Sequence, residues 1–346
     1  MSSRSALNGR ETSPSGGNSL DWLLEPDSPG VRYLALRDLC DLPPDDPELL
    51  TARKLAHEQG AIAAVLGEMS TEGYWAESGP GYRPKYRSTV WSVIMLTQLG
   101  AHIEEDERIS QACAYLLDHA LAGGGRFTTT GATSGTADCL QGNLCWALAA
   151  LGCDDPRLEQ AYEWMARSVT GEGVAPKEDK KAAVRYYAGQ CGPVFACGSN
   201  LTKPCAWGAV KVMGAFGSLP AEQQRRPLFE NAIQTGIDFL FSVDPAGAEY
   251  PITFSDKPSG NWWKFGFPLF YVTDLLQLIE VLVSLGYGRD ERLANALDIV
   301  KKKQDSLGCW PMEYSYTGKT WVDFGPKKQP NKWVTLRALR VLKTVG

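Results

Sequence analysis

Four segments of the chain are apolar around most of a helical circumference, and each closes on an apolar residue followed by Gly. They are "TVWSVIMLTQLG" to Gly100, "LQGNLCWALAALG" to Gly152, "PCAWGAVKVMGAFG" to Gly217 and "YVTDLLQLIEVLVSLG" to Gly286, and a fifth, "KWVTLRALRVLKTVG", ends at Gly346. A helix without a polar face must be covered on all sides. Gly suits the left-handed position that ends such a helix. A short polar link and a second, amphipathic segment follow: "EDERISQACAYLLDHA", "DPRLEQAYEWMARSV", "PAEQQRRPLFENAIQTGIDFLF" and "RDERLANALDIVKKKQ". Acidic residues stand near the starts of these, where caps and the helix dipole favour them. Apolar residues then recur at helical spacing, as in Leu293, Ala296, Leu297 and Val300. The unit is a buried helix, a tight turn and a half-exposed helix.

"VRYLALRDL" (31–39) and "PELLTARKLAHEQGAIAAVLGEM" supply one more pair, which makes about six with the last truncated. A linear stack would leave an apolar flank on each end unit, whereas a closed ring buries them all. The first and last inner helices carry no polar capping face. The predicted fold is therefore all-α: a single (α/α) toroid over residues 19–346, with buried inner helices and amphipathic outer ones. Residues 1–18, "MSSRSALNGRETSPSGGN", read as a disordered Ser/Gly-rich tail.

Composition excludes several functions. Net charge is -5, and "KKK" at 301–303 closes a helix-like run, where cations are expected, so no nucleic acid partner is predicted. No uncharged apolar run is long enough for a transmembrane helix. The N-terminus lacks a signal-peptide core, which predicts a cytoplasmic chain. The nine Cys include no C-x-x-C pair and there are three His, so neither a disulfide framework, a metal site nor a cofactor is expected. Oligomeric state is not legible.

The stretch "QDSLGCW" follows the helix-like "LDIVKKK". Its Gln304, Gly308 and Trp310 resemble the repeated signature of squalene–hopene-type terpenoid cyclases, in which a helix ends on Gln and a Gly precedes Trp by two residues. "GYW" at 73–75 and "GRF" at 125–127 are degenerate copies. The chain thus resembles the prenyltransferase and squalene-oxidase repeat proteins of the terpenoid cyclase/protein prenyltransferase superfamily. The resemblance implies the same toroid and an isoprenoid or other apolar substrate. Departures matter. No D-x-D-D acid is present, nor are the magnesium motifs of class I terpene synthases. Protein prenyltransferases bind zinc through an Asp, a Cys two residues on and a later His. Here Asp138 is followed directly by Cys139, and no His lies beyond His119.

In such a ring the long loops gather at the N-terminal ends of the inner helices. Asp274 is an acid inside an apolar run: burial would make it a general acid, while a helix cap is the simpler role. Asp138 carries the same two readings. Cys191, Cys197 and Cys205 cluster in "QCGPVFACGSNLTKPC", as inert packed thiols or with Cys205 as a reactive one, in the manner of cofactor-independent dehydratase-isomerases on a related barrel. Loop-side aromatics could line an apolar, π-rich pocket: Tyr86, Trp91, Tyr187, Trp207, Trp262, Trp263, Phe267, Tyr271 and Trp321. Their alternative is to brace the ring. Arg83, Lys85, Arg87, Lys264 and Lys332 are either solvated charges or an anion site. Three functions follow. The first is a terpenoid-cyclase-like enzyme doing acid–base cyclisation, isomerisation or dehydration with Asp274, Asp138 and Cys205. The others are a non-catalytic lipid- or protein-binding toroid, and a polysaccharide lyase or glycosidase with paired carboxylates.

Overall fold

A computed structural model describes residues 18–174, 179, 181, 190–253, 255 and 257–346. Nearly all of the expected tail lies outside these residues, as does Tyr187. The helices are α1 (Ser19–Leu23), α2 (Pro29–Asp38), α3 (Pro47–Glu58), α4 (Ala61–Gly67), α5 (Thr89–Gln98), α6 (Glu107–His119), α7 (Asp138–Ala150), α8 (Pro156–Thr170), α9 (Ala206–Gly217), α10 (Ala221–Gln224), α11 (Pro227–Leu240), α12 (Leu275–Ser284), α13 (Ala294–Lys302) and α14 (Lys332–Val345). A hairpin pairs Leu121–Ala122 with Arg126–Phe127.

Six of them, α2, α5, α7, α9, α12 and α14, close into an inner ring. Each contact in the ring has its own chemistry. Thr97 on α5 donates to the Ala147 carbonyl of α7 at 3.3 Å. Gly142 on α7 lies so close to the Lys211–Val212 backbone of α9 that any Cβ would collide with it. Lys211 donates to Gln277 of α12, and Arg337 of α14 pairs with Glu280 of α12 at 2.7 Å. Gly30 of α2 sits against Trp333 of α14, and Leu34 of α2 against Gly100 after α5. From α5 through α7, α9 and α12 to α14, and from α14 to α2, residues at like heights meet, so these helices run parallel, while the start and middle of α2 meet the end of α5. The buried residues join almost entirely into one apolar core. The fold is the all-α toroid expected.

The outer layer is α3, α6, α8, α11 and α13, each packed on the inner helix before it, with α4 against α3 and the following α5. Several begin on an Asp that caps the helix and grips an Arg two residues on. Asp106 accepts from the Arg108 N–H at 3.0 Å, Asp155 from Arg157 at 2.9 Å and Asp290 from Arg292 at 3.0 Å. The inner helix α14 is covered by α1, from the other end of the described residues. There the buried Lys332 ammonium is held by Glu25 at 2.9 Å and Asp27 at 2.5 Å.

Two details differ from the expected punctuation. Gly100, Gly152 and Gly286 are left-handed, but Gly217 is not: α9 runs through it, and the missing side chain makes room for Ser284. In "QDSLGCW" the turn is held by Asp305 rather than Gln304. The Asp305 carboxylate accepts from the N–H groups of Leu307 and Cys309, both at 2.9 Å, while Gln304 is exposed. Trp310 is fully buried; its ring N–H donates to Val300 of α13 at 2.7 Å and its backbone N–H to Thr335 of α14 at 3.0 Å. Trp75 repeats both bonds, to Val65 of α4 at 2.7 Å and Thr89 of α5 at 3.2 Å. In "GRF" the Phe127 N–H donates to Gln141 of α7 at 2.8 Å. These residues clip an outer helix or loop to the inner helix that follows.

Candidate functional site

The ring is not hollow. The segment 262–274, which leads into α12, dips into it as a plug. Gln98 of α5 binds Leu269 as a backbone would, donating to its carbonyl at 2.6 Å and accepting from its N–H at 2.7 Å. Asn143 of α7 donates to the Phe270 carbonyl at 3.3 Å, and Arg337 of α14 to the Gly266 carbonyl at 2.8 Å. The plug separates a mouth at the N-terminal ends of the inner helices from one at their C-terminal ends.

Asp274 belongs to the plug's anchorage. Oδ1 accepts from the Gln277 N–H at 2.7 Å and from Arg337 at 2.9 Å; Oδ2 accepts from the Gly266 N–H at 3.1 Å and from Arg337 at 2.9 Å. All four acceptor sites of the carboxylate are occupied. In place of a proton donor, the residue is a helix cap locked into a buried ion pair. The signal missed in the sequence is Arg337, 63 positions away on α14.

Asp138 is different. It is the first residue of α7, 4 % exposed, and among the described residues its Oδ2 has no hydrogen-bond partner. Burial, and then the charge of Cys197, raise its pKa well above the carboxylate range; Ser168 and the Gly192 N–H oppose this only in part. The backbone brings thiols to the same place. The Asp138 N–H donates to the Gln190 carbonyl at 3.2 Å, which sets the start of the Cys loop beside α7. The Cys205 N–H donates to the Phe195 carbonyl at 2.9 Å and the Cys197 N–H to the Lys203 carbonyl at 3.2 Å, so these two cysteines face each other across the neck of a loop. Gly208 of α9 leaves the space that Asp138, Cys139 and Cys205 share.

The four thiols there differ. The Cys205 S–H hydrogen-bonds Cys197, and with N–H groups at Ser199 and Asn200 this lowers the Cys197 thiol to about 6, against burial. Cys205, as the donor, is pushed up. Burial and the nearby Asp138 raise Cys139 to about 11, and burial raises Cys191. The pattern is a buried acid pushed up in pKa beside a partly exposed thiol pushed down. Among the described residues, no three His, Cys, Asp or Glu are arranged to hold a metal ion.

Aromatic rings border this cluster. Burial, then Cys139 and Tyr271, raise the Tyr82 hydroxyl to about 12, which places Tyr82 beside the thiols. Tyr271 lies 6.4 Å from Trp207, the second residue of α9, and its hydroxyl is 3.2 Å from that of Tyr86. Lys85 sits over the Tyr271 ring at 4.7 Å. The half-exposed Tyr82, Tyr86, Trp207 and Tyr271 form one face. The other candidates are elsewhere or spoken for. Trp91 is buried, with its N–H on the Tyr82 carbonyl at 2.8 Å. Trp262 and Trp263 tie to the Pro245 and Ala246 carbonyls at 3.1 and 2.8 Å. Trp321 bonds the Arg87 carbonyl at 2.9 Å, and Phe267 stacks on Trp333 at 4.5 Å. Of the basic residues, Lys332 is held by carboxylates and Arg87 caps the Gly318 and Lys319 carbonyls.

Fold and site together give an all-α toroid in which a buried carboxyl of raised pKa and a thiol pair lie near a π-rich face at the N-terminal ends of α7 and α9. No family model and no curated protein matches the sequence. Solved structures are similar to it. A protein from Actinoplanes aligns over 85% of this chain and 99% of its own, at 12% identity and a TM-score of 0.35. The type II terpene cyclase MstE from Scytonema, without ligand, aligns over 85% and 97%, at 15% identity and a TM-score of 0.31. A variant of it in complex with its substrate, geranylgeranyl dihydroxybenzoate, aligns over 86% and 97%, at 16% identity and 0.34. Among the described residues, no helix is long and apolar enough to cross a membrane.

Proposed function

We propose that the chain is an acid–base enzyme for an apolar, unsaturated substrate, isoprenoid in character, worked on at the N-terminal mouth. One observation carries this: Asp138 is buried, raised in pKa and unpartnered at Oδ2 among the described residues, beside a thiol pair whose Cys197 is lowered to about 6. Acid and base with pKa values pushed apart, one up and one down, are the usual mark of catalytic roles.

The reading assigns each group one role. Asp138 gives its proton to a hydroxyl or alkene of the substrate. If a hydroxyl takes it, the C–O bond breaks and water leaves. The cation lies against the faces of Trp207 and Tyr271, which stabilise positive charge. The Cys197 thiolate removes a proton from the adjacent carbon, and a new C=C bond forms. The proton then returns from Cys197 to Asp138. Cys205 holds Cys197 as thiolate. The net reaction is dehydration, or isomerisation when an alkene is protonated. The test is turnover of a panel of prenyl and terpenoid alcohols. Asp138→Asn and Cys197→Ser are each expected to lower kcat about 10²–10⁴-fold with an unchanged melting curve. Full turnover in both variants would sink the assignment.

A further inference from the structure

On the other side of the plug is a cavity of about 520 Å³, at the C-terminal ends of the inner helices. That volume is typical of a small-molecule site. Its walls are largely apolar, with Leu34, Ile94, Trp146, Ala147 and Val281 around the sides and Phe267 and Leu269 of the plug at the floor. None of the groups assigned a role at the N-terminal mouth reaches it.

The charges around the cavity are already spent on one another. Arg37 pairs with Asp38 at 2.6 Å, and Arg340 with the same Asp38. Arg53 pairs with Glu104 and Glu105 at 3.1 and 2.9 Å, and Arg337 with Asp274 and Glu280 at 2.9 and 2.7 Å. Every guanidinium has a carboxylate, although among the described residues the buried Nε groups of Arg53 and Arg340 make no hydrogen bond, so a charged head finds each counter-charge already engaged. Two amide atoms also stand without a protein partner. Asn143 donates through Nδ2 to the plug, and Gln277 accepts through Oε1 from Lys211. Among the described residues, Asn143 Oδ1 and Gln277 Nε2 have no hydrogen-bond partner, although these side chains line the cavity and are 6 % and 4 % exposed. One is an acceptor and the other a donor. Neither atom is sealed from the cavity, so both are open to a ligand group that satisfies them there.

We propose that this cavity is a second binding site, for a neutral amphiphile with an apolar body and a single hydroxyl. The body lies against the Trp146 and Ile94 walls. The hydroxyl accepts from Gln277 and donates to Asn143. The site is independent of the chemistry assigned to Asp138.

Titration calorimetry of the full chain with 1-decanol, decanoate, decylamine and decyl methyl ether tests it. Decanol should bind at least about tenfold more tightly than either charged compound, since an unpaired charge enters an apolar site at high cost. It should also outbind the ether, which cannot donate to Asn143. Ala150→Trp, at an exposed position of the cavity rim, should lower decanol affinity about tenfold or more without shifting the melting curve. Asn143→Leu should abolish the preference for decanol over the ether. Equal or tighter binding of decanoate or decylamine overturns the proposal. So does the absence of decanol binding, or decanol binding unaffected by Ala150→Trp. The last comparison decides even if Asn143→Leu does not fold.

Discussion

Cys197 and Lys211 illustrate opposite ways in which a folded environment sets a proton. Hydrogen bonds to the Cys197 sulfur favour the thiolate, so its reaction with iodoacetamide should rise through a midpoint near pH 6. Replacing the donor, Cys205→Ala, should move that midpoint up towards the ordinary thiol value of about 8.5. An unshifted midpoint would remove Cys205 from its assigned role. Lys211 has one neutral acceptor, Gln277, against full burial. Burial lowers its ammonium to about 7 despite Asp274 nearby. Between that value and the unfolded value near 10.5 the unfolded chain binds the extra proton, so stability rises with pH across this window. Lys211→Met should therefore stabilise the protein more at pH 6.5 than at pH 10.5, as measured by denaturant unfolding. A pH-independent difference would refute a neutral buried amine. Neither behaviour is legible in the sequence. The clustering of cysteines near residue 200 was visible, but which sulfur receives hydrogen bonds depends on how the loop folds back. Asp274 was visible as an acid in an apolar run, and its meaning changed with a partner 63 residues away.

Repetition made the helical elements legible, and the same repetition shows where the reading was incomplete. The apolar inner helices and the acidic starts of the outer ones were plain, because periodicity and capping are local properties. The link between units was not, since Trp310 bonds Val300 behind it and Thr335 ahead of it. The turn before it depends on Asp305 where Gln304 was the visible motif residue. Trp310→Ala should cost about 3–5 kcal/mol, as large aromatic truncations in cores do. Gln304→Ala should stay within about 0.5 kcal/mol. Chemical denaturation of the two variants tests this, and a costly Gln304 change would make Gln304 part of the clip. The Asp caps make a smaller contribution. Asp155→Ala should destabilise α8 by about 1 kcal/mol at neutral pH. Hydrogen bonds from Arg157 lower the Asp155 carboxyl to about 2, so this contribution is present above the unfolded value near 3.8 and fades as pH falls through 2. Acid titration of both proteins should bring their stabilities together.

For the molecule as a whole, closure was predictable and its means were not. A ring follows from end helices that lack a polar face, but nothing local marks α1 as the cover for α14. The plug and both mouths arise from groups on separate helices, none of which is informative alone. The seam between α1 and α14 joins Glu25 to Lys332 across 307 positions of chain. Contacts between successive units span far shorter stretches. Loop-closure entropy grows with that span, so the seam forms late on the way to the native state. It also makes this joint the natural first point of opening once the ring exists. Native-state hydrogen exchange should find the amides of α1 and of the first turn of α14 less protected than those of α7 and α9. A circular permutant that links the two ends and cuts the chain in an exposed outer turn should transfer that early exchange to the new break.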